Sequence, residues 1–422
     1  GRIDDNVGLT DGPSDTGYMW INTLGLANRV KTRVDEFAMD ISGHVRIQDI
    51  PTQNDTVRFD APRLDLEYAR EVGDAALAFT LSANKVDLAF VAALSEGGNL
   101  NELDFDDARG EGSREFYGAT FEGVINADAP LTFEYALAAT ERRYVDEGVE
   151  EDLNDLTRYL ADASVLFDIT RTMRGVVDVG YDYRDEDDTQ QTMRRRARIG
   201  TGVNMALDSR TSLNLRIGYS EVRTERQALG TEETETGAIG SIALFRDLRD
   251  GEANLVYSVD LDENGQRDRL LVGRTFERGD TEFGGDIGVA ARDFGEEVRP
   301  IGSLFIAQEL PRARLAAALE QNVDVAEDSE ATVFTRLNLT YEQDFTSDTS
   351  FIVNLAAGRR FAEEDDNRER RRLNVTASVR NSLTRNWDLD VGYRYRYREG
   401  SDSSVGTSNA VFAALVRNLQ ID

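Results

Sequence analysis

Apolar and polar residues alternate along nearly the whole chain, and this period of two limits the fold more than any other feature. From Phe37 to Ile47 the odd positions are Phe37, Met39, Ile41, Gly43, Val45 and Ile47, while the even ones are Ala38, Asp40, Ser42, His44 and Arg46. The split recurs at Leu131, Phe133, Tyr135, Leu137 and Ala139 against Thr132, Glu134 and Thr140, and at Val177, Val179, Tyr181 and Tyr183 against Asp178, Asp182 and Arg184. It is strongest at Trp387, Leu389, Val391, Tyr393, Tyr395 and Tyr397, set against Asp388, Asp390, Arg394, Arg396 and Arg398. Segments of this kind are strands with one face in an apolar medium and the other in water.

Two kinds of connector alternate between these segments. The short ones include Gly73-Asp74, Asn126 to Pro130, Thr170 to Thr172, Asp208 to Thr211, Arg249 to Gly251, Gly279-Asp280, Pro311-Arg312 and Thr384 to Asn386. The long, acidic ones include Glu96 to Arg114, Val145 to Asp155, Arg223 to Glu235, Val323 to Ser329, Glu363 to Glu369 and Gly400 to Gly406. Short turns at one end and long loops at the other are what an up-and-down meander across a membrane requires. The spacing predicts about 20–22 strands of a dozen or so residues, each long enough to cross a bilayer when tilted. The tally from Tyr18 to Leu419 is odd, whereas single-chain barrels of bacteria are normally even. Either one strand is misassigned or a partner strand precedes Gly1. Residues 1–17 are therefore expected to be an N-terminal segment carrying the end of such a strand, and 18–422 to be the barrel. Five of the six prolines fall in or beside connectors, and only Pro62 interrupts a strand.

No apolar run reaches the roughly 18 to 20 residues of a spanning helix. A soluble barrel with this many strands would enclose an interior too wide for side chains, since about eight strands already give a lumen that side chains just fill. Inversion removes the difficulty: apolar side chains face lipid, charged ones face a wet lumen, and closure pairs every backbone group. The expected fold is all-β, a single large antiparallel up-and-down transmembrane β-barrel. Tyr18, Trp20, Phe116, Tyr117, Tyr181, Tyr183, Phe276, Phe334, Tyr341 and the Trp387 to Tyr397 series lie mostly toward strand ends, where amphipathic rings favour the membrane interface.

The formal charge of −31 is against nucleic-acid binding. Cysteine is absent, which removes disulfides, thiolate metal sites and a cysteine nucleophile. Gly1 opens directly into polar residues with no signal peptide, so the chain is expected to be mature or truncated, with no plug-like domain ahead of the barrel. Only Lys31 and Lys85 among the 48 basic residues are lysines. Either genomic base composition or a preference for rigid, multi-donor pairing with carboxylates accounts for the arginine excess.

The last strand carries a resemblance. Ser403 to Leu419 reads Ser-Ser-Val-Gly-Thr-Ser-Asn-Ala-Val-Phe-Ala-Ala-Leu-Val-Arg-Asn-Leu, with Val411, Ala413, Leu415 and Leu419 on one face. It resembles the closing strand of outer-membrane β-barrel porins of proteobacteria, especially an alphaproteobacterial group, and Leu383 to Tyr393 is similar to that group's penultimate turn and strand. Leu419 stands where the group commonly has an aromatic. The resemblance covers about the last tenth of the chain and implies the bacterial outer membrane and a pore. It supplies neither catalytic residues nor a substrate.

Arginines form the most distinctive polar feature. Arg194, Arg196 and Arg198 share one strand face, as do Arg394, Arg396 and Arg398, with Arg216 and Arg380 on the polar faces of other strands. Same-face residues rise by about 6.5–7 Å per pair, so each triplet makes a column of guanidinium groups. Acids available to face them are Asp40, Glu134, Asp162, Asp168, Asp178, Asp260, Glu320, Asp388 and Asp390. Opposed columns would orient polar solutes, as charged rings do in pores; alternatively they form a lattice of ion pairs that stiffens or fills the barrel. Acidic stretches at 102–107, 146–155, 185–188 and 363–366 suit either a divalent cation bridging to lipopolysaccharide phosphates or plain solvation. His44 is the only histidine and has no local catalytic partner, and the glycine pairs form no phosphate loop. The expectation is a non-enzymatic, porin-like channel for the passive passage of small hydrophilic solutes through a charged lumen, without a cofactor. Outer-membrane lipid, lipopolysaccharide and the barrel-assembly machinery are its expected partners. The alternative is a structural or surface-interaction barrel with a filled lumen and acidic external loops.

Overall fold

The computed structural model describes residues 1–7, 9, 16–49, 57–87, 112–145, 154–263, 265–292, 296–325, 331–362, 369–400 and 404–417. Its strands are β1 (Arg2–Asp4), β2 (Gly17–Lys31), β3 (Asp35–Asp49), β4 (Val57–Val72), β5 (Ala75–Asp87), β6 (Ser113–Ile125), β7 (Leu131–Val145), β8 (Leu156–Thr170), β9 (Met173–Glu186), β10 (Thr192–Ala206) and β11 (Thr211–Arg226). They continue as β12 (Thr231–Leu248), β13 (Gly251–Asp262), β14 (Gly265–Arg278), β15 (Thr281–Arg292), β16 (Glu296–Leu310), β17 (Ala313–Val325), β18 (Ala331–Asp344), β19 (Thr349–Ala362), β20 (Arg370–Thr384), β21 (Trp387–Glu399) and β22 (Val405–Arg417). Each strand pairs antiparallel with its sequence neighbours, and β1 also pairs with β22, which closes one 22-stranded barrel. A 15-residue strand tilted by about 40° rises roughly 38 Å, enough to cross the hydrocarbon and emerge on both sides.

Strand parity explains the odd tally. β2 to β22 are 21 long strands of alternating direction, so β2 and β22 run the same way and would meet in parallel. Three residues of β1 lie between them, with Arg2 opposite Met19 and Phe412, and Asp4 opposite Gly17 and Ala410. Every seam is thereby antiparallel.

Alternation sorts the two faces as expected. Leu24, Ile217 and Ile287 are 72, 66 and 69% exposed on the outer face, an exposure that water would penalise and lipid does not. Val411 and Leu415 of the porin-like strand also face outward; Leu419 lies outside the described residues. Rings collect toward strand ends: Tyr159 stacks on Tyr183 at 6.0 Å on the long-loop side, and Phe276 on Phe283 at 4.8 Å beside the 279–280 turn. The Tyr183 and Tyr397 hydroxyls donate to the acids two residues on, Asp185 and Glu399, at 3.3 and 2.8 Å. An apolar ring with a polar tip suits the membrane boundary.

Pro62 sits at a β-bulge. Ser42 pairs with Arg63 and His44 with Asp60, so Ala61 and Pro62 together oppose Gly43, and Ala61 takes φ of 47°. The extra residue leaves Pro62 without a ladder bond to donate. One expected connector is corrected: Arg223–Glu235 is not a loop, because β11 and β12 run through it and leave only a turn at residues 227–230. Charge on both faces there marks a hairpin that projects into water. The acidic stretches at 102–107 and 363–366, and residues 146–153 of the stretch at 146–155, lie outside the described residues. In the stretch at 185–188 the Asp188 carboxylate caps its own turn, accepting from the Thr192 amide and hydroxyl at 2.8 and 2.7 Å.

Candidate functional site

Strand alternation points the polar side chains of β4 to β13 into the lumen, where they line a recess of about 860 Å³. Seven of the residues singled out by pattern meet there: Arg196, Arg198, Arg216, Glu134, Asp162, Asp178 and Asp260. Two arginines are already neutralised. Arg198 on β10 reaches over Gly180 of β9 to Asp162 of β8, and Arg196 reaches over β11 and β12 to Asp260 of β13. A Cβ at residue 180 would collide with both Arg198 and Asp162, so the missing side chain is what lets the pair span three strands. Glu134 accepts from the Ser164 hydroxyl at 3.2 Å.

Arg194 lies higher on the same face, outside the recess. It donates to Glu186 at 2.7 Å and its Nε stands 3.2 Å from Glu263, beside the Arg184–Glu186 pair at 2.6 Å. The second triplet serves another part of the wall. Arg396 is buried, and its Nη2 donates to Asp4 Oδ2 (3.1 Å), to the carbonyls of Asn6 (3.2 Å) and Val7 (3.1 Å) and to Ser408 Oγ (3.0 Å). Asp4, fully buried, also accepts from Ser408 Oγ at 2.6 Å and from the Asn6 amide at 3.0 Å, and pairs with Arg2. These bonds clasp β1 to β21 and β22, and draw residues 6 and 7 against the lumen face.

Arg394 donates to Thr376 Oγ1 at 3.3 Å and lies 5.8 Å from the Phe412 ring centroid. Arg398 stands between Arg372 and Gly406 in the register. Below them Arg380 donates to Asp390 at 3.4 Å, and Ser382 to Asp388 at 2.6 Å. Asp40 lies on β3 opposite Asp65, whose own partner is Arg63. His44 Nδ1 is 2.7 Å from Thr23 Oγ1 across β2 and β3. Each triplet is thus engaged with acids or polar groups of nearby strands.

At the loop rim Glu369 joins three strands. It pairs with Arg359 and Arg371 at 2.5 Å each, and Arg371 reaches on to Glu399 at 3.5 Å. The Arg371 hydrogen bond, helped by Arg359, holds its carboxyl below the usual glutamate range. Pattern reading passed over Asp4, Glu263 and Gly180, and took Glu186 only as part of the acidic stretch at 185–188. Glycines at lumen-face positions of a strand, such as Gly180, Gly200 and Gly202, were the available signal, because a gap in a strand face marks a close approach.

A closed antiparallel barrel with an apolar exterior and a charged interior is an outer-membrane β-barrel. Among solved structures, the Escherichia coli K12 ferric-catecholate import receptor Fiu in its open form is similar at TM-score 0.61 and 9% identity, over 99% of this chain and 81% of that one. The FrpB iron transporter of Neisseria meningitidis is similar at TM-score 0.60 and 6% identity, over 99% and 82%. Pseudomonas aeruginosa FpvA, solved with heterologous pyoverdines, is similar at TM-score 0.59 and 10% identity, over 98% and 71%. At these identities the likeness is one of fold. It supports the outer-membrane barrel but not the porin family that the last strand resembles. No family model and no curated protein matches the sequence.

Proposed function

We propose that the protein is an outer-membrane conduit for small hydrophilic solutes whose lumen is narrowed by its own charged wall, in place of a freely open porin. The observation that carries this reading is the recess on the lumen side of β4 to β13, where Arg196, Arg198 and Arg216 stand among Glu134, Asp162, Asp178 and Asp260. Barrels of 22 strands that serve transport are wide enough to need internal obstruction. Residues 6 and 7, held by Arg396, take up part of that width here. The names of the similar structures, an import receptor and an iron transporter, agree with passage of a solute.

Bilayer recording and solute uptake by proteoliposomes test the reading. Small discrete steps are expected, with cation preference rising when Arg196, Arg198 and Arg216 are all changed to Gln. Large, unselective steps would restore the open porin. A silent bilayer without uptake would favour a structural barrel, a second reading supported by the pairing of Arg194, Arg196 and Arg198 with acids of other strands.

A further inference from the structure

Two oppositely charged groups of the recess have no ionic partner among the described residues. Asp178 of β9 leans over Gly200 of β10, where an added Cβ would lie 2.7 Å from its Oδ2. Arg216 of β11 leans over Gly202 of β10, where an added Cβ would lie 2.6 Å from its Cδ; it donates to the Leu215 carbonyl at 2.9 Å and to no carboxylate among the described residues. Gly200 and Gly202 are successive lumen-face positions of β10, so the two charges approach one bare stretch of wall from opposite sides. Their Cα atoms are two strands and two residues apart, about 12 Å. Arg216 and Asp178 do not pair with each other among the described residues, and the gap is short enough for one small molecule to touch both.

The surroundings set the sign of what fits. Arg196 and Arg198 are neutralised by Asp260 and Asp162, so Arg216 is the free positive charge among the described lining residues. Against it stand Asp178, Glu134, Glu122 and Glu71, none with an ion pair among the described residues. Carboxylates outnumber guanidinium groups once the internal pairs are removed.

We propose that this stretch of β9 to β11 is a binding subsite for a small zwitterion with surplus positive charge, of the chemistry of a basic amino acid. The solute's carboxylate docks on Arg216, one amino group docks on Asp178, and the second faces Glu134 and Glu122. A charge-assisted pair at each end recognises both groups, and the bare glycine surface leaves room between them. The assignment rests on the conduit reading and names the solute class that the conduit would hold.

Equilibrium dialysis of radiolabelled L-lysine against the detergent-purified barrel tests it. Saturable binding is expected, weakened tenfold or more by Asp178→Asn and by Arg216→Gln. Cadaverine, which lacks the carboxylate, is expected to compete more weakly than lysine and to be indifferent to Arg216→Gln. Absence of saturable binding, full binding by both variants, or cadaverine competing as well as lysine would overturn the proposal. If either variant loses the heat-modifiable gel mobility of a folded barrel, Asp178→Glu and Arg216→Lys replace it, with a smaller weakening expected and unchanged binding overturning the site. Conductance of the same preparation separates the two readings: a conducting barrel that ignores lysine loses only the subsite, and a silent one that binds lysine loses only the conduit.

Discussion

At residue 180 the wall has no side chain, and the Arg198–Asp162 pair occupies the space. Both partners are flexible and more than a quarter exposed, so a larger residue there would swing them aside without deforming the barrel. Gly180→Val should change unfolding free energy by less than about 1 kcal/mol, the usual worth of an exposed pair. A double-mutant cycle on Arg198→Gln and Asp162→Asn, followed by urea unfolding in vesicles, should find coupling of about 0.5 kcal/mol in the native background and none in the Gly180→Val background. Equal coupling in both backgrounds would refute the spacer role of Gly180. Alternation in the sequence showed which face Arg198 occupies but not what it touches, because period two orders one strand and says nothing about its neighbours' register. Arg396 makes the same point more strongly, since its acid lies 392 positions away.

Among the elements, the long strands and the tight turns were legible because an apolar face in lipid and a Gly-Asp or Pro-Arg connector both leave local marks. β1 left none, as three residues cannot display a period, and the 223–235 hairpin was hidden by charge on both of its faces. Strands are tied at their loop ends by clusters such as Glu369 with Arg359 and Arg371. Because the folded carboxyl titrates below its unfolded value, its contribution is present at neutral pH and fades as pH falls through the lowered value. The melting temperature of Glu369→Gln should therefore lie slightly below that of the parent at pH 7. The gap should close below the ordinary glutamate value of about 4.3. A gap independent of pH would mean that packing, not charge, ties the rim.

For the whole molecule, barrel class and inside-out polarity followed from the sequence, whereas the way the two ends of the chain meet did not, since it depends on pairing between residues at opposite ends. Asp4→Ala leaves Arg396 buried without its counter-charge and should cost about 3–5 kcal/mol. Adding Arg396→Leu should recover part of that loss. The urea midpoint, followed by unboiled gel mobility, checks both; an unchanged midpoint in Asp4→Ala would show that the clasp does not hold the seam. The clasp also bears on how the barrel comes to exist. Asp4 and Ser408 are 404 positions apart, while every other seam among the described residues joins strands that are adjacent in the chain. Hairpins can zip one after another, each contact local, but the final ring closure waits until the last strand is in place and must search over nearly the full length of the chain. That step should set the pace of assembly, and until it is complete β1 and β22 present bare edges to any strand that can reach them.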